Sequence, residues 1–204
     1  MQIENLNECV YMKLVFATNN QHKIQEIATL VGQQFQIVSL ADIQCFDEIP
    51  ETGETLEENA LQKARYIYTK YGYDSFADDT GLEIDVLNGA PGVYTARFAG
   101  PQCSPADNIR KTLEVMQGVE QRNAAFRTVI ACVLDGKEYL FQGNVHGVIA
   151  KEIMGVGGFG YDPIFIPSGY TLSFAQMPLV QKNKISHRGR ATTKFLKFLH
   201  GFIQ

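Results

Sequence analysis

The sequence predicts an α/β fold, an elongated mixed β-sheet flanked by helices, with two lobes around a long central cleft. Three observations point there. A short β-branched run, a polar break and a helical pattern follow one another over residues 13–40, the unit from which parallel sheets are built. Two long strand-like runs flank Asp135-Gly136, a dipeptide that favours a tight antiparallel hairpin. The 204 residues are 45% hydrophobic and 20% charged, which is globular composition with enough apolar side chains for a core that needs no disulfides.

Taken in order, Lys13 to Ala17 reads as a strand and Thr18-Asn19-Asn20 breaks it. Ile24, Ile27, Ala28 and Val31 recur at helical spacing, with Gly32 as the expected cap, and Phe35 to Leu40 reads as a second strand. Thr55 and Glu58 form a capping box ahead of the stripe Leu56, Ala60, Leu61, Ala64, Ile67, Tyr68 and Tyr71, so a helix starts there. Ser75 to Ala77 reads as a buried strand ended by Asp78-Asp79-Thr80-Gly81. Leu82, Ile84 and Val86 alternate like a half-exposed strand, and Asn88 to Gly92 turns the chain. A helix is expected over Ala106 to Met116, the hairpin over Ala125 to Val148, and a short strand over Pro163 to Ile166. A closing helix is expected over Arg190 to Ile203. Residues 1–11 are polar and acidic, without the basic and apolar regions of a secretory signal, and are expected to be an extension outside a single domain over 12–204.

Charge and cysteine content narrow the classes. Four scattered cysteines with no C-x-x-C pair argue against a disulfide framework or structural zinc, and favour reduced thiols in the cytoplasm. No apolar run has membrane-spanning length, so no membrane partner is expected. The net charge of −4 argues against a protein that coats nucleic acid. That figure is an average: residues 1–162 hold 12 basic and 22 acidic side chains, and residues 163–204 hold 6 basic and none acidic.

Four segments could carry chemistry. Thr18, Asn19, Asn20, Gln21, His22 and Lys23 sit at a strand-to-helix junction, where unpaired N–H groups and a cation suit phosphate; helix capping with a solvated Lys23 is the competing explanation. Glu51, Glu54, Glu57 and Glu58, with Asp78 and Asp79, offer hard oxygens of the kind magnesium takes, although capping already accounts for Glu57 and Glu58. Adjacent strand residues face opposite ways, so Asp78 and Asp79 need not share a role. Gly157 to Pro163 combines close backbone approach, an aromatic face at Phe159 and an acceptor at Asp162, and by itself also reads as a turn. Lys182 to Arg190 is a basic stretch, either a solvated loop or one wall of a nucleotide pocket.

Together these segments resemble the inosine triphosphate pyrophosphatase family, also called Ham1-like or dITP/XTP pyrophosphatases. The matching blocks are Thr18 to Lys23, Glu51-Thr52-Gly53 with Glu58-Asn59-Ala60, Ala77 to Leu82, Gly89 to Gly92, Gly158 to Phe165, and Ser186 to Gly189. Each block is weak; their order and spacing are highly specific. The resemblance implies a Mg²⁺-dependent homodimer that converts deaminated purine nucleoside triphosphates (XTP, dITP, ITP) to the monophosphate and pyrophosphate. It implies Asp79 as the general base and a metal ligand, with Glu51 as the second metal ligand. Thr18 to Lys23, Thr80 and Lys63 would bind phosphates, and Phe159, Gly160, Tyr161, Asp162, Lys182, His187 and Arg188 would surround the base.

The chemistry of the base is consistent with those roles. Hypoxanthine and xanthine carry a keto acceptor where adenine carries an amino donor, so a guanidinium such as Arg188 suits the first and clashes with the second. An unpaired buried donor costs roughly 1–3 kcal/mol, about one to two decades of discrimination. Two other readings are a Maf-like pyrophosphatase of different base preference and a non-catalytic nucleotide-binding protein. The Ser186 to Gly189 and Phe159 to Asp162 blocks disfavour the first, and Asp79 with Glu51 disfavours the second.

Overall fold

A computed structural model describes residues 12–31 and 35–202. The expected extension over 1–11, the Gly32 cap and Ile203 lie outside the described residues. The elements, in chain order, are β1 (Met12–Phe16), α1 (Gln21–Ala28), β2 (Phe35–Val38), α2 (Leu56–Tyr71), β3 (Ser75–Ile84) and β4 (Pro91–Gly92). They continue with α3 (Pro105–Val115), β5 (Asn123–Leu134), β6 (Lys137–Ile149), β7 (Phe165–Pro167), α4 (Leu179–Ile185) and α5 (His187–Phe202). One seven-stranded sheet runs β2-β1-β3-β5-β6-β7, with β4 on β3. β1 is parallel to β2 and β3, and every other pairing is antiparallel, so the sheet is mixed as predicted.

Local chemistry accounts for the main elements. Thr55 accepts from Glu58 N–H while Glu58 reaches back to the Thr55 N–H, so α2 starts at the predicted capping box; it ends where Gly72 takes φ +71° and donates to Tyr68 O. Asp135 and Gly136 both have positive φ, the conformation that a two-residue turn between twisted strands demands. Three apolar clusters hold the layers. One packs α2 on the sheet through Leu56, Ala60, Ala64 and Ile67. A second packs α1 and α5 on the opposite face through Ile27, Phe76, Phe195 and Leu199. The third forms the far lobe around Phe126, Phe165 and Phe174. Each of these Leu, Ile and Phe side chains, fully buried, contributes about 1.5–3 kcal/mol.

Several boundaries differ from expectation, for physical reasons. β3 does not stop at Ala77; it runs through Asp78 and Asp79 because β5 pairs with it all the way from Ser75 to Ile84. Val86 falls in a 3-10 turn instead of continuing the alternation. α1 ends at Ala28, capped at Thr29, before the apolar spacing runs out. α3 begins at Pro105, because Ser104 and Asp107 make a second capping box there. β7 starts at Phe165 because Asp162 to Ile164 form a helical turn. The basic stretch, open to a solvated-loop reading or a pocket-wall reading, is helical: α4 covers its first part and α5 begins at His187 instead of Arg190. α5 can lie this close to β6 because Gly143 has no side chain; a Cβ there would collide with His187 O and Ala191 N.

Candidate active site

The cleft opens where the sheet changes from parallel to antiparallel. β1 pairs with β3 only at Val15 and Phe16, and β4 joins the same edge only at Leu82 and Glu83, so from Ala77 to Gly81 that edge of β3 has no strand partner. The Asp78 carbonyl on that edge accepts instead from Lys23 Nζ (3.4 Å) and Lys63 Nζ (2.9 Å). Alternation along β3 then divides the carboxylates. Phe76, Asp78 and Thr80 face α5, while Ala77 and Asp79 face α2. A cavity of about 680 Å³ lies across this point.

The α5 wall is a closed ionic network. Asp78, 1% exposed, takes Lys23 Nζ at 3.0 Å and Arg188 Nε at 3.0 Å. Burial would raise its pKa, but Lys23, Arg188 and Lys63 outweigh that and hold the carboxyl well below the usual range. Glu26 on α1 binds Arg188 Nη1 and Lys182 Nζ (2.7 Å), and these cations lower its pKa against the opposing effect of burial. Lys182 also meets Asp162 at 2.5 Å, and Asp162 accepts from Phe159 N–H at 2.8 Å. Burial raises the Asp162 pKa. Gly158, at φ +70°, lets this turn close, since a Cβ there would strike the Asp162 carboxylate. Arg188 Nη2 donates to Thr80 Oγ1 at 3.1 Å. Three of the five guanidinium N–H groups are thus committed, and two have no partner among the described residues.

An aromatic slot adjoins that wall. Phe159 stacks on His22 with centroids 5.1 Å apart and planes 8° apart. Lys182 Nζ and Arg188 Cζ lie 4.9 and 5.4 Å from the Phe159 centroid. His187 stacks on Phe126 at 4.5 Å. Burial, reinforced by Arg188 and Lys182, pushes its pKa far down, so the imidazole is neutral; its Nδ1 has no partner among the described residues. Tyr161 lines the same space, with its hydroxyl given to Thr95 O at 2.8 Å.

The α2 wall is more open. Lys63 Nζ donates to Glu51 Oε1 and stands 3.8 Å from Asp79 Oδ1. Asn59 Nδ2 donates to Asp79 Oδ2 at 3.2 Å. Burial raises the Asp79 pKa. Burial opposes charge on Lys63 too, but Asp79 and Glu51 outweigh it and raise its pKa. Among the described residues no three His, Cys, Asp or Glu side chains converge as a metal cage. Two carboxylates that share one ammonium beside a backbone carbonyl still suit a hard divalent ion, which keeps waters and takes its remaining oxygens from phosphates.

Of the sequence-predicted site residues, Thr18, Asn19, Asn20, His22, Lys23, Glu51, Lys63, Asp79, Thr80, Phe159, Gly160, Tyr161, Asp162, Lys182, His187 and Arg188 all border this cavity. Gln21, the first residue of α1, does not. Asn20 is also the α1 cap, accepting from His22 and Lys23 N–H, so the capping explanation holds for that residue. Sequence reasoning missed Glu26, gave no role to Asn59 although it lies in a matched block, and named Asp78 without a partner. The available signal for Glu26 was a carboxylate beside Ile27 on the buried face of a short helix; Asn59 and Lys63 likewise lie on the buried stripe of α2.

A phosphate-sized cationic loop, an acidic pair and an aromatic slot around one α/β cleft define a class, the hydrolases that act on nucleotides. The profile of the Ham1 family matches residues 14–198, and the chain belongs to that family. It is 50% identical over 188 residues to a dITP/XTP pyrophosphatase of Flavobacterium johnsoniae, covering 92% of this chain and 98% of that one. Among solved structures it resembles a HAM1 protein from Coxiella burnetii (TM-score 0.86, 35% identity, 93% and 99% of the two chains). It also resembles the Staphylococcus aureus Ham1 protein (TM-score 0.84, 37% identity, 93% and 98%).

Proposed function

We propose that the protein hydrolyses deaminated purine nucleoside triphosphates (XTP, dITP and ITP) to the monophosphate and pyrophosphate, keeping them out of DNA and RNA. The observation that carries this reading is that Asp79 and Glu51 open into the same cavity as the Phe159 slot. A pure binding protein has no use for a carboxylate pair beside the phosphate loop.

Lys23 and Lys63, with the Thr18 to Lys23 loop and Thr80, hold the triphosphate. Glu51 and Asp79 would hold Mg²⁺, which when bound neutralises phosphate oxygens and makes the attacking water more acidic. Asp79 takes the proton of a water attacking the α-phosphorus, and pyrophosphate leaves. At the other end Phe159 stacks on the base, Asp162 accepts from a ring N–H, and the two uncommitted N–H groups of Arg188 donate to the 6-keto oxygen. Adenine presents an amino donor there and leaves Arg188 unpaired, at a cost of roughly 1–3 kcal/mol.

The reading includes a homodimer, as the family resemblance implies. It includes a cytoplasmic location, where a nucleotide pool needs such an enzyme, and no nucleic-acid partner. The test is a substrate panel with Mg²⁺. Pyrophosphate release from ITP, XTP and dITP is expected to exceed that from ATP by about one to two decades in kcat/KM. Equal turnover of all four overturns the assignment of the base slot.

A further inference from the structure

Two lysines share the Asp78 carbonyl, and they differ in what else they hold. Lys23 is committed to the Asp78 side chain, a carboxylate inside the closed network. Lys63 binds the other two carboxylates, Glu51 and Asp79, the pair read above as metal ligands. Its ammonium has three N–H donors. Glu51 Oε1 and Asp78 O take two of them; Asp79 Oδ1, at 3.8 Å, is beyond hydrogen-bond length. These are hard oxygens, the donors a divalent cation prefers. Asn59 fixes the other oxygen of Asp79, so Oδ1 is the one left for a cation. The Lys63 side chain is 8% exposed and Glu51 is 39% exposed, so the ammonium is the deeper member and the carboxylate the one open to the cleft.

We propose that Lys63 is a built-in placeholder for the divalent cation, holding Glu51 and Asp79 in position until metal and triphosphate arrive, and then passing from carboxylate to phosphate oxygens. The proposal rests on the assignment of Glu51 and Asp79 as metal ligands. Two cations cannot share these oxygens without strong repulsion in a part-buried site. Metal alone therefore binds the free protein against Lys63. A triphosphate offers the ammonium new acceptors and so removes the competition, and by linkage metal strengthens nucleotide binding by the same factor.

The test is calorimetric titration of the free protein with magnesium chloride as the only added ligand, so activity plays no part. Lys63→Met is expected to tighten Mg²⁺ binding by roughly tenfold (about 1.4 kcal/mol). Lys63→Arg, which keeps the charge, should stay near wild type, and Glu51→Gln should lose binding. If Glu51→Gln loses binding while Lys63→Met binds no tighter than wild type, the placeholder is overturned and the metal assignment stands. If Glu51→Gln binds like wild type, the metal assignment fails and takes the placeholder with it. Should Lys63→Met fail to fold, NMR of wild-type protein carrying ¹³Cε-lysine decides. The Lys63 resonance, identified by its loss in Lys63→Arg, must shift on Mg²⁺ saturation, and an unmoved resonance overturns the proposal.

Discussion

Asp78 and Asp79 are neighbours in the chain and opposites in the structure. Asp78 sits in a wall with every charge matched: two cations on its carboxylate, Glu26 and Asp162 completing the set, and almost no solvent. Asp79 sits in a wall with one lysine between two carboxylates and one face open to the cleft. A closed network fixes geometry and resists change, because removing any member leaves an uncompensated buried charge. An open one can exchange partners at little cost. The first kind of wall suits rigid positioning, of the base by Arg188 and of the phosphates by Lys23 and Thr80, and the second suits chemistry on a charged, changing phosphate.

Exchanging the two aspartates for asparagine tests that division most directly. Asp79→Asn removes the proposed base and one metal ligand while keeping shape; turnover of ITP should fall by roughly 10²–10⁴-fold, with the denaturation midpoint close to wild type. Asp78→Asn strands Lys23 and Arg188 in the interior and should cost about 3–5 kcal/mol of stability, read from chemical denaturation. If Asp79→Asn proved the destabilising change and Asp78→Asn the tolerated one, the two walls would have been assigned the wrong way round.

Glu26 gives the closed wall a pH signature. Its folded pKa lies below the unfolded value, so the stabilisation is fully present above the ordinary glutamate pKa of 4.5 and is lost as pH falls through the lower, folded value. Stability measured by denaturant at a series of pH values should therefore drop on acidification, and Glu26→Gln should flatten that drop while lowering stability at neutral pH. Asp162 and Asp79, whose pKa values are raised, act in the opposite sense and set a floor to the effect. A Glu26→Gln profile parallel to wild type would show that Arg188 and Lys182 do not depend on this carboxylate.

The same contrast explains what the sequence could reveal. The capping box at Thr55, the hairpin at Asp135-Gly136 and the apolar stripe of α2 depend on residues within one turn or one register of each other, so a local pattern displays them. The open wall was legible for a similar reason, since Glu51, Lys63 and Asp79 lie within thirty residues of one another, Glu51 and Asp79 in matched blocks. The closed wall is built across the chain. Lys182 and Glu26 are 156 positions apart and Arg188 and Asp78 are 110 apart, so nothing local distinguishes a paired, buried lysine from a solvated one. That is why 182–190 taken alone reads equally as a solvated loop, and becomes a pocket wall only beside the other segments, and why nothing in the sequence marks out Glu26 as a paired carboxylate. β3 was cut short at Asp78 for the same cause: carboxylates look like a strand end until the cations that neutralise them are in place.

The smallest expected effect is the control for this argument. Arg65 and Glu138 make a two-pronged ion pair, at 2.5 and 2.7 Å, whereas Arg188 spreads single contacts over Asp78, Glu26 and Thr80. Their side chains are 53% and 38% exposed. Water solvates both charges when the pair opens, and salt screens what attraction remains. Glu138→Gln should therefore cost less than about 1 kcal/mol in chemical denaturation and leave ITP turnover unchanged, with the small difference shrinking further in high salt. The exposed pair has the fuller pairing, two bonds to one carboxylate against one from Arg188 to Asp78, so burial is what makes the Asp78→Asn change the costlier one. A Glu138→Gln loss as large as that of Asp78→Asn would mean that pairing alone, independent of solvent, sets the cost, and the distinction between an open and a closed wall would lose its physical basis.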